Sequence, residues 1–194
     1  VRIRKKDIED SKDLFRCLAV PFFEAELEAE TLCAILAKRG IVHAALSEDT
    51  DLLAYGCTVF MHNINTSRDT CMVIKHEDIL ESLELDAVQF TDFCIMCGTD
   101  YNGNIPKVGP MTSFKLLKEH GNLDDVSKVM DVSCLKHPRV RELFDFQPKF
   151  LPNVEFCGEP QWDRLGILLS KNNCRMSIAL IKQAFRPRDL TFED

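Results

Sequence analysis

The sequence predicts an α/β fold that becomes helical in its second half. Three observations carry that expectation. Short β-branched, apolar runs at residues 41–46, 58–62 and 70–74 have the length of buried strands. Helical patterns at 7–18 and 24–40 stand before them. From Glu77 onward the period is helical throughout, with strong segments at 87–98 and 111–120.

Each element has a local reason. Residues 1–6 hold Arg2, Arg4, Lys5 and Lys6, a basic start that reads either as a solvated end or as a strip for phosphates. Residues 7–18 follow as an amphipathic helix with Ile8, Phe15 and Leu18 on its apolar face, stopped by Pro21. The run from Phe22 to Glu30 leads into Thr31–Gly40, with acids first, Lys38 and Arg39 last and glycine at the end, as a helix dipole favours. The strand at 41–46 runs into Ser47-Glu48-Asp49-Thr50-Asp51. The strands at 58–62 and 70–74 flank a polar turn. Pro110 suits the first position of the helix at 111–120, which Gly121 closes. After Lys136 the chain reads as proline-bearing loops and then one or two helices within 162–185.

Composition excludes several classes. No run approaches the ~20 apolar residues of a membrane-spanning helix. The chain opens on Val1 rather than Met and shows no secretory signal, so it is read as part of a longer or processed product. Its nine cysteines are odd in number and scattered, which argues for reduced thiols and an intracellular setting. Cys94-x-x-Cys97 has no second pair to complete a zinc site. The net charge of −7 argues against a polyanionic partner unless many acids gather in one place.

The acids stand at telling positions. Asp49 and Asp51 follow a strand, and their i, i+2 spacing puts both on one side of an extended segment. In α/β sheets the carboxyl ends of strands are where ligands bind. Two carboxylates near 4 Å apart repel by about 4 kcal/mol at an effective dielectric of 20, so a fold that gathers them normally supplies a cation. Taken alone, this pair reads first as a solvated turn, Glu28 and Glu30 as a helix start, and Asp100 as a loop acid. Taken together, oxygen donors from several elements with no His or Cys among them specify Mg²⁺ or Mn²⁺. Such a site suits phosphodiester hydrolysis by two metal ions. The five histidines are dispersed and carry no assignment, and Trp162 reads as core.

Three stretches resemble the flap endonuclease and XPG-type 5′ nucleases. Glu24-Ala25-Glu26-Leu27-Glu28-Ala29-Glu30 resembles the internal motif with paired glutamates. Ser47-Glu48-Asp49-Thr50-Asp51-Leu52-Leu53-Ala54-Tyr55-Gly56 resembles the twin-aspartate segment. Residues 93–110 resemble the last aspartate and the helix–two-turn–helix. The resemblance implies a PIN-like 5′-nuclease core, its second half only, over residues 1–86. It implies a helix–two-turn–helix region over 87–135 and a C-terminal segment packing back on the core over 136–194. It implies Glu28, Glu30, Asp49, Asp51 and Asp100 as catalytic metal-site residues for two Mg²⁺, with Mn²⁺ as a substitute. It implies a grip on branched or flapped duplex DNA by Arg2, Arg4, Lys5, Asn104, Lys107, Gly109 and Lys115, with K⁺ in the helix–two-turn–helix loop. Lys118 lies near, and residues 99–121 carry three lysines against two acids.

The expected function is a structure-specific 5′ flap endonuclease or 5′–3′ exonuclease of replication, repair or recombination, nuclear if the source is eukaryotic. The alternative from another class is a silent relative that binds branched DNA or serves as a scaffold. A PIN-like ribonuclease is disfavoured by the segment after Asp100. The chain departs from the family at Lys107, where glycine is usual, and at Met111 and Thr112, where basic residues are usual. The family's first half, with two further aspartates and most of the arch, has no counterpart in these residues. No sliding-clamp motif is expected at residues 189–194.

Overall fold

A computed structural model describes residues 2–155 and 158–184, so the chain end expected to lack a clamp motif lies outside the described residues. Two compact units emerge, Glu24–Pro152 and a second made of Val1–Phe23 with Asn153–Asp194. The boundaries expected at 86 and 135 both fall inside the first of these.

In the unit Glu24–Pro152, the small and branched residues Thr31, Ala34, Ile35, Leu36 and Ala37 give helix α2 (Ala29–Lys38) its buried face. The helix is shorter than the sequence suggested, because residues 24–28 stay outside it and Glu28 is its N-cap. The first strand is also shorter: β1 is Ala45–Leu46 alone, preceded by bends. Helix α3 (Asp51–Ala54) follows, then β2 (Val59–Asn65) and β3 (Thr70–Lys75). Asn65 closes the β2–β3 turn by accepting the N–H groups of Ser67 and Arg68, both at 3.1 Å.

The sheet order is β1-β2-β3, with β1 parallel and β3 antiparallel to β2. Register puts Ala45, Phe60 and Ile74 in one row and Leu46, Met61 and Val73 in the next. The first row faces the core, with Phe60 fully buried. The second faces outward, with Leu46 and Val73 more than half exposed. Phe60 anchors the layer, and truncating it to alanine would cost about 3–5 kcal/mol.

Helices α4 (His76–Leu83), α5 (Ala87–Cys97), α6 (Pro110–His120), α7 (Leu123–Val126) and α8 (His137–Phe144) complete this unit. Asp86 and Gln89 form a capping box at the start of α5, and Gln89 also donates to the Gly121 carbonyl beyond α6 at 3.0 Å. Pro110 occupies the first turn of α6, as expected. Helix α8 falls where loops were expected, and its place is fixed by charge. Asp92 on α5 is fully buried, receives Arg141 Nε and Nη2 at 2.6 and 2.7 Å, and accepts the Leu123 N–H at 2.9 Å. Arg141 also reaches Asp124 at 2.7 Å, and His137 Nε2 lies 3.0 Å from the same carboxylate.

In the other unit, α1 (Lys5–Leu18) packs on α9 (Trp162–Lys171), burying Cys17 and Leu165, and α10 (Ile178–Ala184) lies against α9. Helix α1 buries Cys17, while Ile8 and Phe15, expected on its apolar face, stay substantially exposed. Trp162 is half-buried, beneath the Lys182 ammonium at 5.3 Å.

Candidate active site

The parallel strand β1 delivers the chain to the site. Ser47 N–H still bonds the Met61 carbonyl at 3.1 Å, and then the chain turns. Ser47 Oγ accepts the Asp49 N–H at 3.0 Å, and Asp49 Oδ1 accepts the Asp51 N–H at 2.9 Å. Asp51 is thus the first residue of α3. The two aspartates share a site through this turn rather than through an extended segment, because local side-chain acceptors compete with strand pairing. Glu48, just before Asp49, points elsewhere and accepts the Asn63 N–H at 2.9 Å.

Glu28 and Glu30 arrive at the start of α2. Glu28 is extended and Glu30 stands in the first turn, so the 200° that would separate them in mid-helix does not apply. Asp100 follows Gly98, whose φ of +108° lets α5 end abruptly. Its loop is held by Asn102, which donates to the Ile95 carbonyl at 3.0 Å. All five acids line one cleft of about 30 Å³, about the size of a single water or ion, together with Tyr55 and Tyr101.

The cleft contains no cationic side chain among its lining residues. Burial pushes the Asp51 carboxyl up, and the charges of Asp49, Asp100, Glu30 and Glu28 push it further. Burial likewise pushes the Tyr101 hydroxyl up, helped by its hydrogen bond with Tyr55 and by the negative charge of Glu28 and Asp51. Among the described residues no three acidic, His or Cys side chains converge closely enough to clasp one ion. Hard oxygen donors spread around a small cleft fit Mg²⁺, which keeps several waters and takes only one or two carboxylates directly. Cys94, its thiol pushed up to about 12 chiefly by burial, is not among the residues that line this cleft.

The residues expected to grip DNA divide between the two units. Arg2 precedes α1, Arg4 is its N-cap and Lys5 its first residue. Arg4 is engaged with Asp7, donating from its backbone N–H and from Nη2, both at 2.9 Å. In the loop before α6, Val108 N–H bonds the Ile105 carbonyl at 3.1 Å around Pro106 and Lys107, and Lys107 has φ +65°. That is a type II turn with lysine at the position that favours glycine. Asn104 folds its amide onto Gly98, filling the space a side chain there would need. Gly109 caps α6 at φ −109°, with open space where a side chain would stand. Lys115 is exposed on α6, whereas Lys118 is held by Glu84 at 2.9 Å.

Comparison with known proteins meets this geometry directly. The XPG I-region family matches residues 19–100, a span that contains all five acids. The chain is 36% identical over 218 residues to the probable RAD2-like endonuclease 369L of Invertebrate iridescent virus 6, covering 100% of this chain and 52% of that one. The chain belongs to the flap endonuclease and XPG-type nuclease family. Within it, flap endonuclease 1 of Babesia bovis is 38% identical over 175 residues, 89% of this chain and 26% of its own. The flap endonuclease-1 structure from Methanococcus jannaschii superposes with a TM-score of 0.79 at 27% identity, covering 93% of this chain and 56% of that one. The PIN-like nuclease fold is therefore the fold of this chain. It spans about half or less of the length of these relatives.

Two cleft residues escaped the sequence reading. Tyr55 stands four residues after Asp51, a helical spacing that puts both on one face, and Tyr101 directly follows Asp100. The Asp92–Arg141 pair also escaped. Its signal was a single acid inside the apolar run of α5, which a fold buries only with a partner.

Proposed function

We propose that this chain is the metal-holding and DNA-gripping half of a structure-specific 5′ flap endonuclease or 5′–3′ exonuclease that hydrolyses phosphodiesters at single-strand/duplex junctions. One observation carries the reading: five carboxylates from three separate stretches line one cleft without a cationic side chain. Glu28, Glu30, Asp49, Asp51 and Asp100 would hold divalent ions, directly or through water. Two Mg²⁺ so held, or Mn²⁺ in their place, would activate water near neutral pH and stabilise charge on the phosphate.

The rest of the work falls to other residues. The Gly109 backbone and the start of α6 offer amide N–H groups to a phosphate that can approach closely, since no side chain stands there. Lys107 in the loop and Lys115 on α6 add charge, and K⁺ in the loop would add to it. Arg2 before α1 and Lys5 at its start would be further basic contacts. Acids in the cleft and cations around the loop separate the cutting from the holding of DNA. The outward row Leu46, Met61 and Val73, more than half exposed at its two ends, supports cover of that face of the sheet by the remaining half of a nuclease of the relatives' length. We assign its work to the inside of the cell, nuclear in a eukaryote, where eight described free cysteines stay reduced.

The test is cleavage of a 5′-flap DNA by the complete reading frame in Mg²⁺, with EDTA and Asp51→Asn as controls. Cutting at the junction that both controls abolish supports the nuclease. The spread of the acids around the cleft favours a second reading, a silent binder of branched DNA. Binding without cutting, equal in wild type and Asp51→Asn, would establish that reading instead.

A further inference from the structure

The acidic cleft has one wall without charge. Tyr55 ends α3 at 5% exposure, and Tyr101 follows Asp100. Their hydroxyls lie 2.7 Å apart, and both residues line the cleft. Phe144 meets the two rings edge-on, with centroids 4.9 and 5.7 Å away, so neither ring is free to turn aside.

Proton counting then gives a consequence. Each phenol brings one proton, and the bond between them uses one of the two. The second O–H has no further partner among the described residues. Every other side chain lining the cleft is a carboxylate, which in its ionised form accepts and never donates. A shell of oxygens around a cation is oriented by donors just outside it, and here the phenols are the only such side chains.

We propose that Tyr55 and Tyr101 act as one hydrogen-bond donor to the cleft, giving the outward O–H to a carboxylate oxygen and so positioning the acids for a divalent cation. The pair is a positioning element, and its role rests on the metal-binding reading above. It acts as a unit: removing either hydroxyl breaks the relay, and removing the second adds little.

The chain has only two tyrosines, so ζ-¹³C-tyrosine labelling gives two resonances, assigned with Tyr55→Phe and Tyr101→Phe. Each variant keeps its ring and its contact with Phe144, and the remaining resonance reports whether the site is folded. Titration with MgCl₂ should move both wild-type resonances with one dissociation constant. Calorimetry should show each single variant binding Mg²⁺ about tenfold more weakly, with the double variant no weaker than the worse single. Wild-type binding with unchanged affinity in folded variants overturns the positioning role alone. Additive losses in the double variant overturn the relay. A wild-type chain indifferent to Mg²⁺ overturns this inference and the metal reading together.

Discussion

Two clusters of acids in the same unit are built on opposite principles. Asp92 is fully buried and fully answered, by Nε and Nη2 of Arg141 and by the Leu123 N–H. Asp51 is only half-buried, yet it faces four other carboxylates and no cationic side chain. The sequence has 24 Lys and Arg side chains, enough to neutralise either cluster, so their absence from the cleft reflects placement. The fold commits its counter-ions where helices α5, α7 and α8 meet and withholds them where a cation from solution can act. Stability and chemistry are thus separated by where the cations stand.

The largest expected effect breaks the satisfied cluster. Arg141→Ala strands the buried Asp92 charge and should cost about 3–5 kcal/mol, read as a drop in thermal midpoint. Replacing both partners by apolar residues, Asp92→Leu with Arg141→Met, should recover most of that loss. If the double replacement is as unstable as Arg141→Ala, the cost lies in packing rather than in the stranded charge.

The same residue type in the cleft should behave in reverse. Asp51→Asn should abolish about 10³-fold or more of Mg²⁺-dependent cleavage in the complete protein, since a lost ion removes several kcal/mol of stabilisation. In metal-free buffer the same change should stabilise this chain, because it removes a charge that four others oppose. Solvent screening limits the gain to about 2 °C.

A pH profile sharpens the contrast. The guanidinium of Arg141 and then His137 hold the Asp124 carboxyl below its ordinary range. Its folded value is the lower one, so its contribution is present above the ordinary carboxylate pKa and is lost as pH falls through the folded value. Denaturant melts from pH 5 down to 2 should show that loss in wild type and a shallower one in Asp124→Asn. The exposed setting of Asp124 keeps the difference to about 0.5 kcal/mol.

The smallest effect concerns the loop. Lys107→Gly removes the left-handed strain at φ +65° and should raise stability by about 0.5 kcal/mol, part of the relief being offset by unfolded-state entropy. It should also weaken duplex binding and reduce the slope of log affinity against log salt by about 1. An unchanged slope would remove Lys107 from the DNA contacts.

Elements with a strong local signal were legible in the sequence. Pro110 at the start of α6 and the polar turn between β2 and β3 stand where their residue types require. The elements that depend on distant partners were less legible. Helix α8 has its place fixed by Arg141 reaching Asp92, 49 residues away, which no local period reveals. Strand β1 is two residues long because only Ala45 and Leu46 find partners on β2, although the apolar run begins at Ile41. In the cleft the acids were legible by type and order. The turn that joins Asp49 to Asp51 stood only as the alternative to a metal-holding extended pair, and the hydroxyl contact between Tyr55 and Tyr101 was not legible, since it depends on residues 46 positions apart.

The most direct test of the division between the two clusters is a thermal melt of this chain and of Asp51→Asn, each in EDTA and in saturating Mg²⁺. At about 100 times the dissociation constant the ion should add ~2.7 kcal/mol to wild type, a rise of about 5 °C or more. Asp51→Asn should start higher in EDTA and respond weakly to the ion. Equal responses in the two proteins, or a variant less stable than wild type in EDTA, would contradict a cleft whose carboxylates are held apart from cations in order to receive one.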